Sequence, residues 1–427
     1  MISRKSFNGA ALAGLLCMGV SLPLYAADTA SSKEYAGQTI TVMLPPWGTL
    51  PKNMVDRFQL DTGIKINMQT LGWDEIRAKV ITSLVAGISP ADVVEVDWSW
   101  VGQFGAAGWF TPLDKIIGRE ILSDTPSSKI FQYKGQTLAV PYNNDFRLMI
   151  VNKAHLSKAG IIKMPKTMDQ LLIDARALKA SGASKYPIAL PLSATEGTAT
   201  AWYLLTKAYG GELFDDNFRP QFASENSPGH KALQFIQQAV KEGLIDPAAT
   251  GMTDVQVQDA FKGGQYSIDL AGWPGNLSTY NDKTKSKIAG SATAALMPSS
   301  TGSSRSFGLV EGLGIPQKSK NKGAASEFIK WWMRVENQVE VYEVLSDLPT
   351  RNSALKVLIQ QNKLNDGEVL LEQIKGVTPL FASGSPEWYP ELSREASAAI
   401  NQMAKGQLTV NEVAKQIADK TEKAMKK

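Results

Sequence analysis

The chain has 427 residues, 43% of them hydrophobic, and 45 Lys and Arg against 41 Asp and Glu give a formal charge of +4. That length exceeds one ordinary core and suits two lobes of roughly 150–200 residues each. Charges of both signs run along the whole length without a block of one sign, which excludes a nucleic-acid arm or an acidic tail.

The first 26 residues read as an export signal. Arg4 and Lys5 are its basic start, and Ala10 to Val20 is an apolar run of about eleven residues, too short for a bilayer span of about 20 residues. Pro23 breaks the run, and Leu24-Tyr25-Ala26 before Ala27 fits cleavage after Ala26. Loss of Arg4 and Lys5 leaves a charge of about +2. Cys17 raises the question of a lipid anchor, but Leu16 stands where lipidation needs a small residue, so a soluble periplasmic product is expected. Without Cys17 the mature chain has no thiol, which excludes disulfides and Cys-based nucleophiles or metal sites.

Thr39 to Leu44 predicts a strand that stops at Pro45-Pro46 and opens at Trp47-Gly48. Leu50 to Leu60 has helical spacing, and Ile64 to Met68 alternates as a strand. Trp73 to Ala86 is again helical, and Ala91 to Val96 is a nearly continuous apolar strand. This alternation predicts an α/β lobe with a largely parallel sheet, whose ligands lie beyond the carboxyl ends of the strands. Leu138 to Tyr142 and Arg147 to Asn152 are strand-rich and flank Asn143-Asn144-Asp145, which reads as a crossing between lobes.

Beyond it, Pro165 to Lys179 is predicted as a helix and Pro187 to Leu192 as a strand. Thr198 to Tyr209 and Pro228 to Glu242 are further helices. Ser267 to Ala271 is a strand ending in Gly272-Trp273-Pro274-Gly275, read as the return crossing. The Ser/Thr/Ala/Lys-rich stretch from Lys283 to Ser306 suits an exposed edge with loops. Gly323 to Leu345 and the last forty or so residues are helical. Two crossings divide the chain into residues 38–145 plus 274–320 for one lobe and 146–273 plus 321–427 for the other. Such discontinuous lobes suit hinge bending.

Several passages resemble the family-1 extracellular solute-binding proteins, the group that contains the maltose-binding protein. Gly87-Ile88-Ser89-Pro90-Ala91-Asp92-Val93-Val94 is similar to that family's helix-to-strand turn, with one extra Ala. Val140-Pro141-Tyr142, Val151-Asn152-Lys153-Ala154-His155-Leu156 and Ala159-Gly160-Ile161 follow its strand, helix and turn. Pro165-Lys166-Thr167-Met168-Asp169-Gln170-Leu171 comes next, with Met168 in place of the usual Trp. Gly314-Ile315-Pro316, Ser319 to Ala325, Leu348-Pro349-Thr350-Arg351 and Lys405 to Ala414 continue in the family's order. The resemblance covers most of the mature chain. It implies a two-lobed periplasmic binding protein fold of type II, each lobe a mostly parallel sheet flanked by helices and joined by a hinge. It also implies a sugar-type ligand and an ABC importer as partner.

Sugars are held by aromatic faces against their C–H patches and by carboxylate, amide and Arg groups at their hydroxyls. Trp47, Trp73, Asp97 and Trp98 sit at predicted strand ends, Trp273 at the return crossing and Trp388 near the tail. Asn143 and Asp145 lie in the first crossing, Glu311 is flanked by Val310 and Gly312, and Arg351 follows the family's loop. Each Trp suits core packing as well, and Trp331-Trp332, Trp202 and Trp109 suit packing better. Asp145 equally suits turn formation or a helix cap, Arg351 a surface salt bridge, and Glu196 helix capping.

Catalysis has little support. The two histidines, His155 and His230, fall on predicted exposed helices with no metal spacing. No Gly-x-Ser-x-Gly elbow or phosphate-cradling lysine loop occurs. The expectation is a monomeric periplasmic component that binds a small sugar between its lobes and delivers it to the membrane permease subunits, with no cofactor, nucleic acid or chemistry. A polyamine or phosphorylated polyol is the alternative ligand, and a secreted carbohydrate-active enzyme the alternative class.

Overall fold

Pro45 ends the first strand because it cannot extend the ladder, and the β-branched residues before it form Thr39–Leu44 as expected. Residues 33–381 and 384–426 are described in this computed structural model, so the leader, Cys17 and the Ala26 junction lie outside the described residues. Lys65–Thr70 and Val93–Asp97 pair with Thr39–Leu44 on either side, both parallel. Glu311–Gly314 then lies antiparallel between Val93–Asp97 and Ala139–Asn143, completing a five-stranded sheet. The second sheet has the order Ala292–Ala295, Leu148–Asn152, Ile268–Gly272, Ile188–Ala189. Its first two pairs are antiparallel and its last is parallel.

Both sheets are therefore mixed rather than mostly parallel. A strand that arrives from the other sheet enters at the edge where the parallel strands end, so it must run against them.

Each sheet is apolar on both faces, as an internal layer requires. In the second, Met149 and Val151 point into one cluster, with the helices Glu196–Ala208, Pro228–Lys241, Tyr389–Ala404 and Val410–Ala424. Leu148 and Ile150 point into the other, with the helices Asp254–Lys262 and Pro274–Asn281 and the buried Leu355, Leu358 and Leu370. In the first, Ile40, Val42 and Leu44 pack with Phe58, Phe328, Trp331 and Trp332, while Met43, Val94 and Val96 pack with Trp100 and Phe104.

The chain does not return to the first sheet at Gly272-Trp273-Pro274-Gly275. Helix Pro274–Asn281 follows, and Ala292–Ala295 then pairs with Leu148–Asn152, so residues 274–295 stay with the second sheet. The return runs through Ser306–Phe307 to Glu311, with Phe146 bridging Gly308. Helix Lys322–Trp332, expected in the other lobe, packs on the first sheet through Phe328, Ile329 and Trp332. A third crossing follows helix Val335–Leu345. There the backbone N–H of Asn144 donates to the Leu348 carbonyl at 2.9 Å, and the Thr350 hydroxyl donates to the Pro141 carbonyl at 2.8 Å. Among the described residues three segments thus connect the sheets where two were expected, because local periodicity carries no information about which sheet a strand joins.

Candidate ligand-binding site

The carboxyl edge of the first sheet gathers polar groups by register. Glu311 lies opposite both Asp97 and Asn143, and Trp47 follows the neighbouring strand end. A register shift after Glu311 marks a bulge, the kind of irregularity that re-aims a side chain. The Trp47 indole Nε1 donates to Glu311 Oε1 at 2.7 Å, and Asn143 Nδ2 donates to Glu311 Oε2 at 2.9 Å. Glu311 is buried whereas Trp47 is 38% exposed. The carboxylate is anchored and the indole beside it remains accessible.

Asp97 caps the short turn Trp98–Trp100 through the Ser99 N–H at 2.8 Å and also accepts from the Ser99 hydroxyl. Trp73, the first residue of helix Trp73–Val85, donates from Nε1 to Asp97 Oδ2 at 3.4 Å. Trp73 also lies 4.9 Å from Trp100, centroid to centroid.

The facing edge of the second sheet brings Arg147 and Trp273 together, because Leu148 pairs with Gly272. The Arg147 guanidinium lies 4.7 Å from the centre of the Trp273 ring, donates to the Ala271 carbonyl at 3.0 Å and approaches Asp254 at 3.9 Å. Glu196 begins helix Glu196–Ala208 and accepts from the Tyr389 and Ser393 hydroxyls.

Between the edges lies a cavity of about 1110 Å³, lined by Trp73, Arg77, Trp100 and Tyr133 from one side and Glu196, Phe218 and Trp388 from the other. Burial is the main reason that Asp97, Asp145, Glu196 and Glu311 all have carboxyls raised to about 7. Their mutual repulsion adds to it: Glu311 acts on Asp97, Asp97 on Asp145 and Glu196, and Asp145 on Glu311. Arg147 opposes the rise at Asp145. The result is an acid-rich cleft with indoles along it, rich in hydrogen-bond acceptors.

The residues expected from sequence divide into three sets. Trp47, Asn143, Asp145, Glu311 and Trp273 lie at or beside the crossings, Trp73 and Trp388 line the cavity, and Asp97 adjoins both sets. Trp388 also packs against Phe214, Phe218 and Phe381. Trp98 and Arg351 are placed otherwise. Trp98 is 3% exposed and packs between Phe307 and Tyr389, because the turn capped by Asp97 rotates its ring into the core. Arg351 is buried, paired with Asp124 at 2.8 Å, and donates to the Met333 carbonyl at 2.8 Å. It ties the third crossing to the first lobe.

His230 is buried rather than exposed, and His155 shares a hydrogen bond with Ser267 at 3.0 Å. Among the described residues no group of three or more His, Cys, Asp or Glu is arranged to hold a metal ion. No helix among them is long and apolar enough to cross a membrane.

Sequence reasoning missed Arg147, Arg77 and Asp347, the last buried on the third crossing, and weighed Glu196 as a ligand group against helix capping. A charged residue next to a crossing was the available signal for Arg147.

Comparison with known proteins agrees with this architecture. A curated relative from Sinorhizobium fredii, named "Probable amino-acid ABC transporter periplasmic-binding protein y4oP", is 27% identical over 375 residues, covering 83% of each chain. A solute-binding protein of Thermotoga lettingae, solved with α-D-tagatose, superposes with a TM-score of 0.80 at 23% identity, over 91% of this chain and 100% of that one. One from Agrobacterium radiobacter, solved with ribitol, gives 0.80 at 21% identity over 92% and 99%. At such identities these likenesses show the fold, a two-lobed binding protein. Residues 47–339 match the family described as bacterial extracellular solute-binding protein, and the chain belongs to that family.

Proposed function

We propose that this protein is the periplasmic substrate-binding component of an ABC importer and that it holds a small sugar or polyol between its lobes. The observation that carries the reading is the unit formed by Trp47, Glu311 and Asn143. An accessible indole is fixed through its Nε1 to a buried carboxylate, which an amide also holds. That unit offers a ring face to C–H patches and acceptors to hydroxyls. Trp73 on Asp97 repeats the pattern. The Thermotoga and Agrobacterium proteins solved with tagatose and ribitol support the same ligand class.

On this reading the lobes comprise residues 39–143 with 311–333, and residues 148–307 with 352–426. The segments between them act as the hinge, and the closed form docks on the membrane permease. The chain is exported and acts as a monomer, and it releases its ligand unchanged.

A second reading, a polyamine or amino-acid ligand, is favoured by the number of acids in the cleft and by the name of the Sinorhizobium relative.

Thermal melting of the mature protein against sugars, polyols, amino acids, polyamines and phosphate esters tests the reading. A ligand specific for the folded state at a hundred times its Kd adds about 2.7 kcal/mol. A shift with a sugar or polyol recovered unchanged supports the assignment. Shifts confined to another class, or conversion of the sugar, overturn it.

A further inference from the structure

Trp98 belongs to the first lobe by chain, since it directly follows strand Val93–Asp97 of the first sheet. Its ring is seated in the second lobe. It packs 5.2 Å from Phe307 and 4.9 Å from Tyr389, centroid to centroid, and joins the apolar cluster built on Met149 and Val151 of the second sheet. Trp100, two residues on, turns back into the first lobe's own cluster with Met43, Val94 and Val96. The turn capped by Asp97 thus gives one indole to each lobe.

Polar contacts hold the rim of this seat. Ser385 Oγ donates to the Trp98 carbonyl at 2.9 Å and accepts from the Gly102 N–H at 3.3 Å, so one hydroxyl of the second lobe ties two turns of the first. The two backbones lie so close that a Cβ on Gly102 would overlap the Ser385 carbonyl oxygen. Tyr133 of the first lobe donates to Glu387 Oε1 of the second at 2.7 Å. Tyr389, one wall of the seat, donates to Glu196 at the start of helix Glu196–Ala208. Trp98 and Ser385 are both buried. The contact borders the cavity, whose lining includes Ser99, Trp100, Tyr133, Ser385, Glu387 and Tyr389.

We propose that Trp98 is a latch between the lobes, a positioning residue that holds the cleft closed through a contact of the protein with itself. The proposal rests on the reading that the two lobes close around a ligand. Parting the lobes draws the indole from its seat and exposes it together with the faces of Phe307 and Tyr389, which is unfavourable. That penalty is the same whatever fills the cleft. The latch therefore raises the population of the closed form, and with it the apparent affinity, by one factor for every ligand. The rim contacts of Ser385, Gly102 and Tyr133 fix how the lobes meet, and thereby the spacing of the cavity's two walls.

Residues 27–427 contain no cysteine, so a single thiol placed by Ser385→Cys in the mature protein reports parting of the lobes through its rate of maleimide labelling, with no ligand added. Thr206→Cys, at a fully buried position within the second lobe, reports unfolding instead. The expected result is slow labelling of Ser385→Cys, made about tenfold to a hundredfold faster by Trp98→Ala, the range that unburying one large aromatic ring supplies. Trp98→Phe keeps a ring in the seat and returns the rate to within about threefold of the parent, while Thr206→Cys labels slowly in all three backgrounds. Equal Ser385→Cys rates with and without Trp98→Ala overturn the latch, as does labelling in the parent as fast as in urea. A rise at both thiols together in Trp98→Ala overturns it as well and makes Trp98 a core residue of the second lobe. Because no ligand enters the experiment, each of these failures leaves the sugar or polyol assignment standing.

Discussion

Arg147 is the cation on which the cleft's second edge depends, and replacing it with Met tests that dependence. Its guanidinium donates to the Ala271 carbonyl, lies 3.9 Å from Asp254 and covers the Trp273 ring. Burial raises the carboxyls of Asp145, to about 7, of Asp269, to about 6, and of Asp254, and the positive charge of Arg147 opposes each rise. Removing one partner of a buried ion pair typically costs about 3–5 kcal/mol, because the other charge is left uncompensated.

That figure applies where the aspartates are ionised. A carboxyl raised in the folded state contributes stability below its unfolded value and loses it as pH rises through its folded value. Arg147 offsets that loss, so its removal is felt most where the acids are charged. In Arg147→Met the deficit is therefore about 3–5 kcal/mol near pH 8. Near pH 5 Asp145 and Asp269 are largely protonated, and what remains is the bond to the Ala271 carbonyl, a loss of about 1–3 kcal/mol. Urea unfolding followed by circular dichroism at the two pH values measures both deficits. Equal deficits, or a larger one near pH 5, would refute the electrostatic account and leave Arg147 a packing residue.

The unliganded protein should grow more stable as pH falls from about 8 to about 5.5, because Asp97, Asp145, Glu196 and Glu311 take up protons in the folded state near 7. His155 and His230, both pushed down by burial, act in the opposite sense but are outnumbered, and a melting temperature that falls over this range counts against the buried acid cluster. Gly102→Ala should lower stability by about 1–3 kcal/mol, read from the urea midpoint, since its Cβ would stand 2.2 Å from the Ser385 carbonyl oxygen. A midpoint within error of the parent would show that the 385–386 segment yields at little cost. Trp202→Ala should cost about 3–5 kcal/mol, because the ring is fully buried and its Nε1 donates to the Gly229 carbonyl at 2.8 Å. A loss below about 1 kcal/mol would mean the surrounding helices collapse onto the gap.

Local chemistry made the elements legible. Thr39–Leu44 ends where Pro45 must end it, and Pro228–Lys241 starts on a Ser227 cap with Pro at its first turn. The positions of Trp47, Asp97 and Asn143 at the sheet edge were legible for the same reason, since where a strand stops fixes which side chains stand there. Trp98 was misplaced because adjacency to Asp97 suggested shared exposure, whereas the capped turn sends the two side chains in different directions. Arg351 was misplaced because its partner, Asp124, is 227 positions away, and no spacing rule reports such a pair. The lobe boundaries failed in the same way. Ala292–Ala295 could join either sheet on its sequence, and its pairing with Leu148–Asn152 is a tertiary fact.

The mixed pairing also explains why the acids collect where they do. A chain that crosses between two sheets leaves one and enters the other at facing edges, so every crossing brings its polar linker residues to the same gap. With three crossings among the described residues, Asp145, Glu311 and Asp347 stand on neighbouring segments although they are far apart in sequence. Burial raises the carboxyls of all three and is unfavourable for their charged forms. On the proposed function, a ligand that donates to Glu311 and Asp97 from the first sheet and meets Trp273 and Glu196 from the second relieves that penalty only when both edges surround it. Occupancy and lobe closure then share one free-energy term, and a ligand reaching one edge alone contributes nothing toward closure. A truncated sugar that touches the Trp47 edge only should therefore bind weakly without changing the small-angle scattering profile. A compact profile with such a fragment would separate closure from the acid junction.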